Sequence, residues 1–352
     1  MKKKITLKDI ANELGVSIST VSKALNDSFE ISIETKKRIQ DYAKLHNFKP
    51  NTLAVGLQTQ RSKTLGIIIP NMLNHFFAMA FSGIEKVANQ RGYKIITCIT
   101  NDSYQKELET MDLLANGSDI DGFILSMSKE TEKKNDFQHF KNIIDDGIPI
   151  VMFDRAAEEI KCDKVIVNDE EGAFHAVNHL INSGCRNIAF ISTMPDYAIG
   201  KLRKQGYIRA LKNASIKVDE EMMIEVEDSK KFEEVIGKLF TKKKIDGVLT
   251  TNELSAISTM KVAQKKGLAI PKDISVIGFS NGILSRHSNP KLTTVSQHAE
   301  IMGETATHML IDAIEKNNPT YESVTKVIKT TLIERESTKK LVKIKNSSDI
   351  PV

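Results

Sequence analysis

From Leu65 onward the chain alternates short, uninterrupted apolar runs with stretches of helical periodicity, and few architectures tolerate that pattern. Leu65-Gly66-Ile67-Ile68-Ile69 is apolar throughout and stops at Pro70. A helical pattern follows through Ile84, Val87 and Ala88 to Gly92. Next come a strand around Tyr93–Ile99, a helix around Gln105–Ala115 and strands at Gly122–Leu125 and Ile150–Phe153. A strand covered on both faces has no reason to alternate polar with apolar residues. Continuous runs joined by helices therefore predict parallel sheets with helices on either side. A second series is read from Val165–Val167 through Ile188–Ile191, Val248–Leu249 and Ile274–Ile277. Ile120-Asp121-Gly122-Phe123 echoes Ile245-Asp246-Gly247-Val248, which supports two similar α/β lobes. Lobes that face each other at their strand C-termini make a ligand cleft.

The 352 residues exceed one ordinary core and imply two or three domains. Charge is distributed unevenly among them. Residues 1–63 carry twelve Lys/Arg against six Asp/Glu, a net +6, while the whole chain is +5, so the rest is close to neutral at −1. The basic character sits at the N-terminus, where it would release counterions from a polyanion; a solvated basic face is the plainer reading. Met1-Lys2-Lys3-Lys4 resembles a signal peptide's basic start, but an amphipathic, charged segment follows it and not an apolar one. No apolar run reaches the length of a membrane span, so a cytoplasmic protein is expected. Cys98, Cys162 and Cys185 are scattered without metal-ligand spacing and read as reduced and mostly buried; no metal or cofactor is expected.

Three short helices can be placed in residues 1–50. Thr6 with Asp9 three residues on approximates a capping box, Ile10, Ala11 and Leu14 fall at helical spacing, and Gly15 ends that helix. Ser17 caps a second helix with Val21 and Leu25 inward, and Ser32 opens a third with Ile39, Tyr42 and Ala43 inward, ending near Asn47. A helix, a Gly-closed turn and a short helix with a small, polar outer face is helix-turn-helix geometry, in which the second helix enters a major groove.

At this point the residues carry a family resemblance. Ile5-Thr6-Leu7-Lys8-Asp9-Ile10-Ala11 through Gly15-Val16-Ser17-Ile18-Ser19-Thr20-Val21-Ser22-Lys23-Ala24-Leu25-Asn26 resembles the DNA-binding headpiece of the LacI/GalR family. Asn51-Thr52-Leu53-Ala54-Val55-Gly56-Leu57 is similar to that family's hinge helix. The resemblance implies an all-α helix-turn-helix headpiece (1–50), a hinge and linker (51–63), and a two-lobed α/β core of periplasmic-binding-protein type (64–340), followed by a tail (341–352). It puts the first lobe at about 64–160 and 293–322, the second at about 161–292 and 323–340, with three crossovers between them. It implies base reading by Ile18, Ser19 and Lys23, phosphate contacts near Ser17, Thr20 and Ser22, and a DNA-facing set completed by Asn26, Asn51 and Leu57. Two alternatives stay open: Ile18 as a core residue, and Lys23 as a phosphate contact. Leu57 would wedge into the minor groove beside its symmetry mate, or else pack beneath the core. Val55 departs from the family, where a basic residue is common at this place. A homodimer on a palindromic operator is expected; Lys339–Val352 lacks the leucine heptads of a tetramerising tail.

The turns after the strands supply effector candidates: Asn74, Phe76 and Phe77, then Asp154 and Arg155, then Arg203, Asn252 and Ser280. The resemblance implies an effector contact for Arg203, and puts Ser280 where the family often has aspartate. Taken singly, Asn71 and Asp169 read as loop groups facing water. Two guanidinium groups, Arg155 and Arg203, suit a carboxylated or phosphorylated sugar. The implied function is a transcription regulator, expected to be a repressor, controlled by a small carbohydrate effector. The alternative is a solute-binding protein on the same core without a regulatory role. No Gly-x-Gly-x-x-Gly, Walker loop or His-Glu-x-x-His occurs, so an enzyme is not expected.

Overall fold

A computed structural model describes residues 5–46, 48, 61–117, 120–316 and 322–341. The chain divides into two compact units, Met1–Lys63 and Thr64–Val352. In the first, α1 (Leu7–Leu14), α2 (Ile18–Leu25) and α3 (Ile33–Leu45) are set by their caps. Thr6 and Asp9 form a reciprocal capping box: the Asp9 amide donates to Thr6 Oγ1 (3.2 Å) and the Thr6 amide to Asp9 Oδ2 (2.9 Å). Gly15 ends α1 at φ +64°, a conformation glycine adopts without strain, and its N–H returns to the carbonyls of Ala11 and Asn12. Ser17 and Ser32 cap the next two helices. The core is Ile10, Ala11, Val21, Ala24, Ile39 and Ala43. Ala24 therefore takes the inward place expected for Leu25, which with Tyr42 packs at the margin.

The second unit contains, among the described residues, two six-stranded sheets. The first is built from β1 (Thr64–Ile69), β2 (Lys94–Ile99), β3 (Gly122–Leu125), β4 (Ile150–Phe153), β5 (Asp163–Val167) and β11 (Thr325–Ile328). The second is built from β6 (Ile188–Ser192), β7 (Met223–Glu225), β8 (Gly247–Thr250), β9 (Ser275–Phe279), β10 (Thr293–Ser296) and β12 (Thr331–Ile333). Their orders, β2-β1-β3-β4-β5-β11 and β7-β6-β8-β9-β10-β12, are the same doubly wound order. Every pairing is parallel except β10 with β12. The connecting helices of the first lobe are α4 (His75–Gln90), α5 (Tyr104–Gly117), α6 (Lys129–Lys134) and α7 (Gln138–Asp145). Those of the second are α8 (Asp169–Asn182), α9 (Ala198–Asn213), α10 (Phe232–Lys242), α11 (Glu253–Lys265) and α12 (Ile283–His287).

The side chains of β1 show why its apolar run is continuous. Leu65, Ile67 and Ile69 enter the core under α4, while Ile68 points to the opposite face with Met111, Phe123 and Phe140. The last helix among the described residues, α13 (Ala299–Lys316), returns to the first lobe and packs along α4. That crossing brings backbones together: a Cβ on Gly83 would lie 2.1 Å from the Glu300 carbonyl oxygen, and one on Gly303 2.0 Å from that of Ala80.

Three strands correct the lobe limits read from sequence. Val165–Val167 does not open the second series; β5 closes the first sheet, with Val151 opposite Asp163 and Phe153 opposite Val165. Likewise β10, expected in the first lobe, belongs to the second sheet, and β11, expected in the second, pairs with β5. The cause is topological. In parallel sheets that meet at their C-terminal edges, the chain can change lobes only where a strand ends at that edge. It crosses after β5, after β10 and after β11, not before them. β12 enters its sheet from that same edge and so runs antiparallel.

Candidate functional sites: a DNA-reading helix and an inter-lobe cleft

On α2 the residues expected to face DNA lie outward. Ser17, Ser19, Lys23 and Asn26 are exposed and Thr20 and Ser22 are half-buried. Ile18 is 48% exposed, so the core alternative for it is discarded. The Ser17 hydroxyl accepts the Thr20 amide (3.0 Å) and pairs with the Thr20 hydroxyl (2.8 Å). The Lys23 ammonium is held by Glu30 from the loop before α3. Asn51 and Leu57 lie outside the described residues.

In the core unit, the polar candidates emerge where parallel strands end, the place at which open α/β sheets bind ligands. After β4, Asp154 adopts φ +60°. Burial pushes its carboxyl up to about 7, with the Arg155 guanidinium opposing that rise and the negative charge of Asp169, in the other lobe, adding to it. Among the described residues no ion pair or side-chain hydrogen bond holds this carboxyl. Arg203, on α9, is 3% exposed and donates through Nε (2.7 Å) and Nη2 (2.6 Å) to Asp169 Oδ1. It also donates to the Thr251 carbonyl and stacks 3.9 Å above the Phe279 ring. Beside it Asn252 caps α11, its Oδ1 accepting the Ser255 amide (2.8 Å) and its Nδ2 donating to Thr193 Oγ1 (2.6 Å). Asp169, read from sequence as a water-facing loop group, is 4% exposed and the partner of Arg203; burial raises its carboxyl despite that guanidinium.

The remaining candidates separate. Phe76 and Ser280 line a cavity of about 220 Å³ between the lobes, with His75, Asn281 and Gln297. The buried His75 Nε2 makes no hydrogen bond to the described residues. Phe77 does not reach this cavity: it is 2% exposed and lies edge-on to Phe153 in the first lobe's core, because the helical turn that brings Phe76 to the cleft turns Phe77 inward. Asn74 is exposed and its Oδ1 caps α4 through the Phe76 amide (3.0 Å). Arg155 lies over the Phe77 ring and donates to Asp102 and to the Met127 carbonyl. Both guanidinium groups thus already carry a carboxylate. Sequence reading missed Asp102, Thr193, His75 and Gln297; no local pattern marks them.

A helix-turn-helix unit followed by two facing α/β lobes with a polar cleft defines a DNA-binding regulator that senses a small ligand. The comparisons specify which. Residues 6–51 match the model for bacterial regulatory proteins of the lacI family, and residues 177–338 match that for a periplasmic binding protein-like domain. The HTH-type transcriptional regulator RegA of Clostridium saccharobutylicum is 33% identical over 340 residues, covering 95% of this chain and 99% of that one. The HTH-type transcriptional repressor PurR of Vibrio atlanticus (strain LGP32) is 32% identical over 318 residues, covering 88% and 92%. Among solved structures, the transcriptional regulator CelR in complex with cellobiose superposes with a TM-score of 0.70 at 25% identity, over 95% of this chain and all of that one. The chain belongs to the LacI family of transcriptional regulators and is not an enzyme. Among the described residues no helix is long and apolar enough to cross a membrane.

Proposed function

We propose that the protein is an operator-binding repressor of the cytoplasm, active as a homodimer, whose hold on DNA is set by a neutral carbohydrate bound between its lobes. The observation that carries the ligand class is the state of the charges in the cleft. Arg155 and Arg203 are each neutralised within the protein, by Asp102 and Asp169, so neither offers the free cation an acidic sugar needs. Asp154 offers the opposite, a carboxyl with unused acceptor sites. Together with Arg203, Asn252 and Ser280 it suits hydroxyl groups, and Phe76, which lines the cavity, suits the apolar face of a sugar ring. CelR, of matching fold, takes cellobiose.

In the DNA-binding unit, Ser17, Ile18, Ser19, Thr20, Ser22, Lys23 and Asn26 read or grip the major groove, and Asn51 and Leu57 act at the operator centre. Exposed Leu254, Ile283 and Leu284 at the start of α11 and on α12 supply an apolar face for the second subunit. Selection of bound DNA from a random pool at near-physiological salt, with and without a panel of neutral sugars and uronates, tests this reading. A palindrome whose recovery changes with a neutral sugar is the expected result. Recovery that answers only to the uronates overturns the ligand class, and an absence of any enriched half-site in every condition overturns the regulatory reading.

A further inference from the structure

The N-terminus of α9, the helix that carries Arg203, lacks a cap of its own. Tyr197 occupies the N-cap place and makes no side-chain capping bond. The cap comes from the other lobe: Glu132 Oε1, on α6, accepts the N–H of Ala198 at 2.6 Å. Two further contacts follow the same seam. Lys133 Nζ stands 3.9 Å from Asp196 Oδ2, and Lys129 Nζ lies 5.4 Å from the centre of the Tyr197 ring. The helix that presents these groups is fixed from below. Glu107, fully buried, accepts the Ser128 amide (2.6 Å) and the Thr131 hydroxyl, and contacts His139 Nε2 (3.2 Å). So α6 is held to the first lobe by a buried carboxylate and holds α9 of the second by a half-buried one.

We infer that Glu132 is a latch between the lobes: it caps α9 across the cleft, favours the closed arrangement and sets the position of Arg203. An open cleft leaves the first N–H groups of α9 to water and separates a carboxylate from the positive end of a 16-residue helix. Closure recovers both interactions without any ligand. The effector then acts on an equilibrium that Glu132 has already biased. This rests on the cleft reading above for its regulatory meaning, but its geometry can be tested without an effector.

The experiment measures the distance between spin labels placed at exposed Lys141 of the first lobe and Lys242 of the second, in ligand-free full-length protein. Three variants are compared. Glu132→Ala removes the acceptor. Ala198→Pro removes the donor from the other side, at a helix position that accepts proline and after a residue, Tyr197, already extended at φ −90° and ψ 147°. Glu132→Gln keeps an acceptor oxygen. Capping bonds of this kind shift an equilibrium roughly tenfold. The expected result is a longer-distance population raised about that much in both Glu132→Ala and Ala198→Pro, with Glu132→Gln, which keeps the acceptor but loses the charge, between Glu132→Ala and wild type. Distances unchanged in Ala198→Pro overturn the latch, whatever Glu132→Ala does to folding. If the distances shift as expected while no sugar alters DNA binding, the latch stands and the carbohydrate reading fails.

Discussion

The ion pair between Arg203 and Asp169 invites a test of what a buried charge is kept for. Arg203 is 3% exposed and Asp169 4%, and burial raises the Asp169 carboxyl even with a guanidinium hydrogen-bonded to it. Desolvation therefore outweighs attraction at this site, the situation in which an ion pair contributes little to stability yet is costly to break. In Asp169→Ala the arginine stays charged, since guanidinium does not deprotonate in proteins, and keeps only the Thr251 carbonyl and the Phe279 ring. The expected loss is roughly 3–5 kcal/mol. For a unit of this size that lowers the melting temperature by roughly 10 °C. Replacing both charges by apolar groups of similar volume, Arg203→Met with Asp169→Leu, removes the desolvation cost along with the attraction. The double variant is expected to stand within about 1 kcal/mol of wild type or above it, and to bind no sugar. Urea denaturation followed by circular dichroism at pH 7.5 reads both, with the slope of each transition checked for constancy. A double variant as unstable as Asp169→Ala, or a single variant that loses less than about 1 kcal/mol, would refute the reasoning.

Two other perturbations read the remaining charges. Asp154 has a folded-state value of about 7 against an ordinary 3.8, so its contribution to stability is full below about pH 4 and lost as pH rises through 7. Asp154→Asn, tolerated at positive φ, removes that dependence, and its stability should gain on wild type by about 2 kcal/mol between pH 5 and pH 7; parallel melting curves across that range would discard the assignment. On α2, Lys23→Gln should weaken operator binding and lower the slope of log affinity against log salt by about one per subunit, about two for the dimer, whereas Glu30→Gln, which frees the Lys23 ammonium, should tighten binding a few-fold. Fluorescence anisotropy over a salt series measures both, and equal weakening by the two variants would show that Glu30 supports Lys23 and does not compete for it.

What could be read from the chain alone follows the range of the interactions that shape it. The three N-terminal helices were legible because their boundaries are set within a few residues: Thr6 with Asp9, Gly15 after Leu14, Ser17 with Thr20, Ser32 with Thr35. The marginal place of Tyr42 escaped, and so did the choice between Ala24 and Leu25 as the inward residue, since i+3 and i+4 both face a neighbouring helix and the third helix decides between them. The strands were legible as apolar runs, but not their sheet. A run such as Val165–Val167 is equally apolar whether its neighbour is β4 or β6, and β11, with three of its four residues exposed, carries no apolar signal.

The cleft divides on the same line. Asp154, Asn252 and Ser280 could be picked out as candidates because a strand's end is visible in sequence and ligands gather there in open α/β sheets. The groups that decide what those residues can do are distant. Asp169 lies 34 positions from Arg203 and Asp102 lies 53 from Arg155, and each turns a cation that looked free into half of a neutral pair. Counting arginines thus pointed to an anionic ligand, whereas pairing them points to a neutral one. The residue types at a site fix which hydrogen bonds are possible; only the fold determines which are already made, and a ligand is selected by those left over.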